Sequence, residues 1–159
     1  KMLSYTSLTA AVLVVDAVTL LLHRMFDFGT SLTMWYAKFG FVAVISDCVV
    51  ILLGILLALF IVPRADVLTL AGVSVVIQMI HDVLFNVAVV QPIPMGHNAM
   101  IDLFKRYVDE NSWKILVADG LMIGSTVLLA DYYERIPNKY VVFIGLLALY
   151  SLTYSIYTK

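Results

Sequence analysis

The sequence predicts an all-α fold, a polytopic membrane bundle of five transmembrane helices with a short amphipathic helix at the membrane interface. Two observations carry this prediction. The chain of 159 residues is 62% hydrophobic and 13% charged, which is too apolar for a soluble domain of this length. Five apolar segments also approach or exceed the roughly 20 residues that cross the hydrocarbon core of a bilayer. We therefore expect residues 1–159 to form a single integral membrane domain.

The predicted spans lie at about residues 7–25, 34–62, 66–90, 113–133 and 139–157. The first carries Asp16 in its middle and lacks a small-residue cleavage site, so we interpret it as a retained helix rather than a signal peptide. Short polar turns that contain Pro63 and Pro137 follow the second and fourth spans. Each of these turns predicts a pair of antiparallel neighbouring helices.

The longer connection between the third and fourth spans predicts a lid. A break that contains two prolines, residues 91–98, precedes a helix at about residues 99–111. Apolar side chains recur on one face of this helix, and charged residues that include Asp102, Lys105 and Arg106 occupy the rest. Such a helix lies along the membrane interface and can cover a site between the spans.

An odd number of spans places the two termini on opposite sides of the membrane. We call the side of the N-terminus side A, and the side of the C-terminus and the lid side B. Side B carries six lysine and arginine residues and side A carries four. Because positive residues are enriched on the cytoplasmic side, this excess favours a cytoplasmic C-terminus.

The composition excludes several classes of function. Cys48 is the single cysteine, so an intrachain disulfide or a metal site built on thiolates is impossible. The net charge is −1 and the basic residues are dispersed, so the chain lacks the basic stripe that binds nucleic acid. No motif in the sequence predicts a cofactor.

Four of the five spans carry an aspartate within their apolar run: Asp16, Asp47, Asp82 and Asp119. A charged side chain at the bilayer centre costs about 2.5–3.5 kcal/mol on insertion scales, so such acids face a protein interior or a watery cavity. At about 1.5 Å per residue, the four lie roughly 9–20 Å below side B, with Asp47 deepest. Because they share one half of the membrane, the sequence predicts a common polar pocket.

The third span supplies most of the remaining polar groups of this pocket. One arc of it carries Ser74, Gln78, His81, Asp82 and Asn86. No lysine or arginine lies at this depth, so we expect neighbouring carboxyl groups to share protons rather than all to ionise. The small hydroxyl groups have a simpler interpretation, since serine and threonine often bond their own helix backbone.

Two chemistries suit this set of residues. In the first, the four aspartates neutralise a cation or proton and His81 titrates near physiological pH. In the second, His81 or Asp82 acts as a base and another carboxylic acid as a proton donor on a lipid-like substrate. A metal site is a weaker alternative, because the adjacent His81 and Asp82 point in different directions and the usual ligand spacings are missing.

A further pattern links the first, third and fourth spans. It consists of Asp16, the segment Asp-Val-Leu-Phe-Asn-Val-Ala at residues 82–88, Trp113, the segment Val-Ala-Asp at residues 117–119, and Thr126. This pattern resembles a bacterial family of small predicted membrane proteins of unknown function, with similar sequences in large DNA viruses of protists. The resemblance covers most of the chain. It implies that Asp16, Asp82, Asn86 and Asp119 act together, and it implies no activity.

This chain departs from the family pattern at two places. The family spaces its Asp and Asn in the third span by three residues, whereas Asp82 and Asn86 are four apart, and it has Tyr near the position of His81. These departures put a role for His81 in doubt.

The preferred functional prediction is a small membrane protein whose acidic pocket binds a cation, a proton or a small polar ligand, as in a transporter or channel. One protomer of five helices leaves little room for a transport path, so a homo-oligomer in the lipid bilayer is expected. The alternatives are an intramembrane acid–base enzyme beneath the lid, and a structural membrane component whose buried acids join the helices.

Overall fold

The computed structural model describes residues 3–158, and this part of the chain is helical with short connections. It contains seven α-helices and no strand, which confirms the all-α fold class. The helices are α1 (Tyr5–Phe26), α2 (Thr30–Phe39), α3 (Phe41–Ile61), α4 (Val67–Phe85), α5 (Ala99–Asn111), α6 (Lys114–Tyr133) and α7 (Asn138–Ser155). A π-helical turn, Asn86–Val90, extends α4.

Polar side chains cap the starts of three helices. Ser4 accepts a hydrogen bond from the backbone N–H of Ser7 at the start of α1. Asp66 and Asn98 each accept from two backbone N–H groups in the first turns of α4 and α5. These contacts satisfy donors that a helix start otherwise leaves unpaired, and they explain why the helices begin where they do.

Four helices are long and apolar enough to cross a membrane: α1, α3, α4 with its π-helical extension, and α6. They pack as a ring in the order α1, α6, α4, α3, and α3 closes the ring on α1. These features are those of a multi-pass membrane bundle. The fifth predicted span, residues 139–157, corresponds to α7, which is not among the four because polar residues at both of its ends shorten its apolar run.

Helix α7 packs outside the ring, against α1. A Cβ atom built on Gly145 would lie 3.1 Å from the Cβ of Ala10, so the two backbones approach closely there. At the other end, the Arg24 guanidinium donates to the backbone carbonyls of Ser155, Ile156 and Thr158. The two helices are therefore parallel and in register. The turn at Pro137 reverses the chain as predicted, but the main neighbour of α7 is α1 and not α6.

The second predicted span, residues 34–62, is wrong as a single helix, because Gly40 divides it into α2 and α3. Gly40 has φ 54° and ψ −128°, a conformation that is essentially restricted to glycine. A Cβ atom there would also lie 2.8 Å from the hydroxyl oxygen of Tyr157. Helix α2 packs on α5, and we call this pair the side-B cap.

A second junction on side B has almost the same backbone angles. Ser112, between α5 and α6, has φ 50° and ψ −127°. This conformation is costly for a residue with a side chain, by about 1–3 kcal/mol. Of the four connections between the cap and the ring, the one to α3 therefore passes through a relaxed glycine and the one to α6 through a strained serine.

The side-A half of the ring is a close-packed apolar core. Its fully buried members include Leu8 and Ala11 of α1, Ile55 and Ala58 of α3, and Val127 and Ala130 of α6. Thr126 lies among them and donates its hydroxyl to the carbonyl of Met122, as expected for a small hydroxyl within a helix. Packing of this kind fixes the relative positions of the helices that carry the polar groups nearer side B.

Candidate functional site

A cavity of about 1410 Å³ lies in the side-B half of the bundle. Its walls come from all four helices of the ring, and the side-B cap forms its roof. Five of the seven sequence-predicted pocket residues line it: Asp47, Gln78, His81, Asp82 and Asp119. The walls that lie farther from side B are apolar. The cavity is thus acidic near side B and hydrophobic toward the middle of the membrane.

Asp47 faces the cavity from α3 and is held by two aromatic donors. Its Oδ2 accepts hydrogen bonds from the indole Nε1 of Trp35 at 3.2 Å and from the hydroxyl of Tyr36 at 3.3 Å. An unbroken helix would separate residues 36 and 47 by about 16 Å along its axis, so the break at Gly40 makes these contacts possible. Because α3 begins at Phe41, Asp47 lies only about 9 Å from the side-B end of its helix. The prediction that Asp47 is the deepest aspartate is therefore wrong, and Asp16 lies deepest.

The polar arc of α4 converges on one carboxyl group. Gln78 Nε2 donates to Asp82 Oδ1 at 2.7 Å, and the ring Nδ1 of His81 lies 3.1 Å from the same oxygen. The His81 ring stacks on Phe85, with centroids 5.7 Å apart and planes at 9°. The second oxygen, Asp82 Oδ2, is buried and has no hydrogen-bond partner within residues 3–158. One half of this carboxyl group is therefore held in place by α4, and the other half is left for a group from another helix.

Asp119 on α6 approaches Asp82 across the cavity. The two carboxyl groups are within hydrogen-bonding reach, and Asp119 also interacts electrostatically with Asp47. Two carboxyl groups in contact are mutually stable only when they share a proton. The pair is consequently a place where one proton can be held or released.

Tyr107 of α5 closes the roof above these acids. Burial, and then the negative charges of Asp119 and Asp47, raise the pKa of the Tyr107 hydroxyl above its usual value. The hydroxyl therefore stays protonated at neutral pH and remains a hydrogen-bond donor facing the acids.

Asp16 lies behind this wall rather than on it. It is 0% exposed, and neither carboxyl oxygen has a hydrogen-bond partner within the described residues. It does not line the cavity, but it interacts electrostatically with Asp47, Tyr36 and Cys48. A buried polar group without a partner costs about 1–3 kcal/mol, so packing alone does not explain this residue.

The acids of the cavity are not balanced by basic residues. Within residues 3–158, no lysine or arginine forms an ion pair with any of the four aspartates, and Lys114 is the one lysine or arginine that lines the cavity. In the same part of the chain, no group of three histidine, cysteine or acidic side chains is arranged to hold a metal ion. The site is therefore suited to a mobile proton or a diffuse positive charge.

Two sets of predicted residues lie away from the cavity. Asn86 accepts a hydrogen bond from Gln91 Nε2 at 3.0 Å, within the π-helical turn. Asp102 accepts from the backbone N–H of Gly96, and Lys105 donates to the carbonyls of Gln91 and Ile93. Arg106 is exposed. The charged face of α5 thus fastens the connection from α4, and the opposite face, with Leu103, Phe104 and Tyr107, lines the cavity.

Glu110 joins the two helices of the side-B cap. Its Oε1 accepts from the backbone N–H and hydroxyl of Thr30 at 2.8 and 2.9 Å, and its Oε2 accepts from the N–H of Ser31 at 2.8 Å. Hydrogen bonds from Ser31 and then Thr30 lower the pKa of Glu110 to about 2. The carboxylate thus caps the start of α2 from a distant part of the chain, and it holds the roof closed.

Four residues of the site lie outside the predicted set: Trp35, Tyr36, Tyr107 and Glu110. The sequence signal for the first two is Gly40, because a chain reversal there returns them to α3. The signal for Tyr107 is its position on the apolar face of α5. Glu110 carries no local signal, since its partners lie 79 and 80 residues away.

Comparison of this chain with protein-family models, with curated proteins and with solved structures finds no match. The resemblance to the bacterial family of small membrane proteins stays a prediction.

Proposed function

We propose that this protein is a small multi-pass membrane protein that binds a cation in its side-B cavity and exchanges a proton for it. One observation supports this proposal above all. Asp47, Asp82 and Asp119 meet at a cavity that contains a single lysine, and Asp16, which has no hydrogen-bond partner within residues 3–158, interacts electrostatically with Asp47. Such an excess of buried acid is unstable unless protons or a positive ligand neutralise it.

The exchange follows from the contact between Asp82 and Asp119. In the empty cavity the two carboxyl groups share one proton. When a cation of charge +1 enters, its charge replaces that of the proton, which leaves to solvent, and both groups become carboxylates. The charge of the site is therefore unchanged. Tyr36 and Trp35 donate hydrogen bonds to Asp47 but carry no charge, so they orient this carboxylate without competing with the cation.

We also propose that α7 crosses the membrane as a fifth span. It runs parallel to α1 in register, from Ala10 beside Gly145 to Arg24 beside Thr158, so it covers the same depth as a candidate span. This arrangement puts the C-terminal end of α7 on side B, which the excess of lysine and arginine favours as cytoplasmic. A transport activity would need a homo-oligomer, because one ring of four helices encloses the site.

The test is proton release on cation binding. Tetramethylammonium is added to purified protein in a weakly buffered detergent solution that contains a pH indicator. We expect up to one proton to be released per protein, and we expect the Asp119→Asn variant to release none. The control is Asp131→Asn on the same helix, whose carboxylate pairs with Arg135 on side A, and it should behave as wild type. Wild-type protein that neither binds the cation nor releases protons would refute the proposal.

An acid–base enzyme is the second candidate, and the contact between His81 and Asp82 favours it. The imidazole and the carboxyl group lie 3.1 Å apart at the cavity wall, which suits a base and its orienting partner. A lipid-like substrate would then co-purify with the protein and be detectable by mass spectrometry. Turnover of that lipid, lost in both His81→Gln and Asp82→Asn, would favour the enzyme. Unchanged behaviour of every aspartate variant would favour a structural role.

A further inference from the structure

We propose that the ligand is an amphipathic organic cation, with an ammonium head at the acids and an apolar tail along the cavity walls that lie farther from side B. This inference rests on the proposed function, because it assumes that the cavity binds a cation. It adds the chemical class of that cation.

The size of the cavity is the first argument. About 1410 Å³ exceeds the roughly 300–1,000 Å³ of typical small-molecule sites, and it is far larger than a proton or a bare metal ion requires. Metal coordination also needs several ligands around one point, and no such group of three exists within residues 3–158. The ligand that fits this space is therefore organic and extended.

The end of the cavity near side B suits an ammonium group. Asp47, Asp82 and Asp119 supply negative charge once the proton shared by Asp82 and Asp119 has left, and no N–H group within residues 3–158 donates to the buried oxygen Asp82 Oδ2. A fourth carboxyl group, that of the fully buried Asp16, has no hydrogen-bond partner within the described residues. It interacts electrostatically with Asp47, so a positive ligand beside Asp47 would be stabilised by both carboxylates.

Aromatic rings border the same end of the cavity. Phe104 lies 4.9 Å from Trp35 and 5.7 Å from Phe85, measured between ring centroids, and all three rings line the cavity. Aromatic faces attract quaternary ammonium groups through cation–π interactions, whereas they give little to a strongly hydrated metal ion. The head group is therefore recognised by carboxylates and rings together.

The other end of the cavity suits a hydrocarbon tail. On α3 and α6, the cavity residues that lie farther from side B than the acids include Val49, Leu53 and Leu121. The side chains of these three residues are exposed rather than covered by protein. A tail in this position would bury apolar surface on the protein and could enter from the bilayer.

The protein contains its own reporter for this test, because its two tryptophans, Trp35 and Trp113, both line the cavity. Their fluorescence is followed while tetramethylammonium, octyltrimethylammonium or uncharged octanol is added to wild-type protein in detergent, below the aggregation limit of each probe. We expect both cations to change the emission. Each added methylene should raise the affinity about two- to fourfold, so the octyl compound should bind at least about 100-fold more tightly. Octanol should not compete with it.

Two variant pairs separate the head from the tail. Asp119→Asn should weaken both cations at least about tenfold, whereas its control Asp131→Asn should not. Val49→Phe fills the apolar end and should weaken only the octyl compound, and its control is Val76→Phe on the exposed face of α4, outside the cavity. If Val49→Phe does not fold, Leu121→Phe tests the same end of the cavity from α6.

The outcomes distinguish this inference from the proposed function. Equal affinity for the two cations, with proton release intact, would overturn the amphipathic ligand and leave the cation site standing. Octanol that binds as tightly as the octyl cation would also overturn it, because the charge would then play no part. No response to any cation would refute the cation site and the inference together.

Discussion

The side-A and side-B halves of this bundle differ in how they are packed. The side-A half is filled with apolar side chains such as Ile55 and Val127 that are fully buried, and its helices approach closely at Ala10 and Gly145. The side-B half contains the large cavity, unpartnered carboxyl groups and the strained junction at Ser112. The same four helices pass through both halves.

This contrast indicates that one half supplies the stability and the other the function. Close packing stabilises a membrane bundle through many small contacts, and a site with unpaired polar groups reduces that stability. Functional sites often carry such a cost, which the rest of the protein offsets. Truncation of a buried side chain in the side-A half should therefore lower the free energy of unfolding, whereas removal of an unpartnered carboxyl group or of backbone strain in the side-B half should raise it.

The largest effect is expected in the side-A half, from Ile55→Ala. Ile55 is 0% exposed, so its truncation removes packing and leaves a cavity, which should lower the free energy of unfolding by about 2–5 kcal/mol. Thermal or denaturant unfolding in detergent measures this change. Leu57→Ala, on the exposed face of the same helix, is the matched control and should cost less than about 1 kcal/mol. Equal losses would show that the side-A half is not the stabilising one.

The next effect is expected at the junction between the cap and the ring, from Gly40→Ala. The backbone angles of Gly40 exclude a side chain, and the new Cβ would meet Tyr157, so a loss of about 1–3 kcal/mol is expected. The emission of Trp35 should change as well, because its hydrogen bond to Asp47 depends on this break.

Ser112 has nearly the same backbone angles as Gly40, so the reverse exchange, Ser112→Gly, should raise the free energy of unfolding by about 1 kcal/mol. A gain of stability in Gly40→Ala together with a loss in Ser112→Gly would show that the backbone at Ser112 is not strained.

A gain of stability is expected from Asp16→Leu, within the side-B half. The substitution removes a buried carboxyl group without a partner in the described residues and fills its place with apolar atoms, which should raise the free energy of unfolding by about 1–2 kcal/mol. The matched control is Asp131→Leu, which removes a partly exposed ion pair and should change stability by less than about 1 kcal/mol. A marked loss of stability in Asp16→Leu would show that this carboxyl group stabilises the fold.

The smallest effect is expected at Glu110, and it depends on pH. The bound carboxylate has a pKa of about 2, below its usual value of 4.5, so its contribution is fully present above about pH 4.5 and is lost as the pH falls toward 2. The difference in unfolding temperature between wild type and Glu110→Gln should therefore be constant above pH 5 and shrink below pH 4.5. Asp109→Asn, which removes a carboxyl group at the adjacent exposed position, is the matched control. A difference that grows at low pH would contradict this assignment.

The sequence predicted most of the fold because membrane spans have a simple physical signature. A run of about 20 apolar residues identifies α1, α4 and α6. The apolar run from Met34 to Val62 did not reveal the break at Gly40, because glycine is also common within transmembrane helices. The predicted span at α7 is indicated only by composition, and the polar residues at its ends weaken that signal.

The acids of the candidate site were predictable from the sequence, but the side chains that surround these acids were not. Burying a carboxyl group in a membrane is costly, so Asp82 and Asp119 are conspicuous in the sequence. Tyr36 and Tyr107 are not conspicuous, because a tyrosine near the membrane interface has an ordinary explanation. Their contact with the acids depends on how α2 and α5 fold over the ring, and that arrangement depends on contacts between distant residues such as Glu110 and Ser31.

The position of α7 also has a consequence for how the protein is made. The ribosome synthesises α1 well before α7, yet the two pack together, and Arg24 binds carbonyl groups more than 130 residues away. One face of α1 must therefore remain in contact with lipid until α7 has been synthesised. We expect the guanidinium of Arg24 to find its final partners only after residues 155–158 have left the ribosome, so α1 is completed by a helix made long after it.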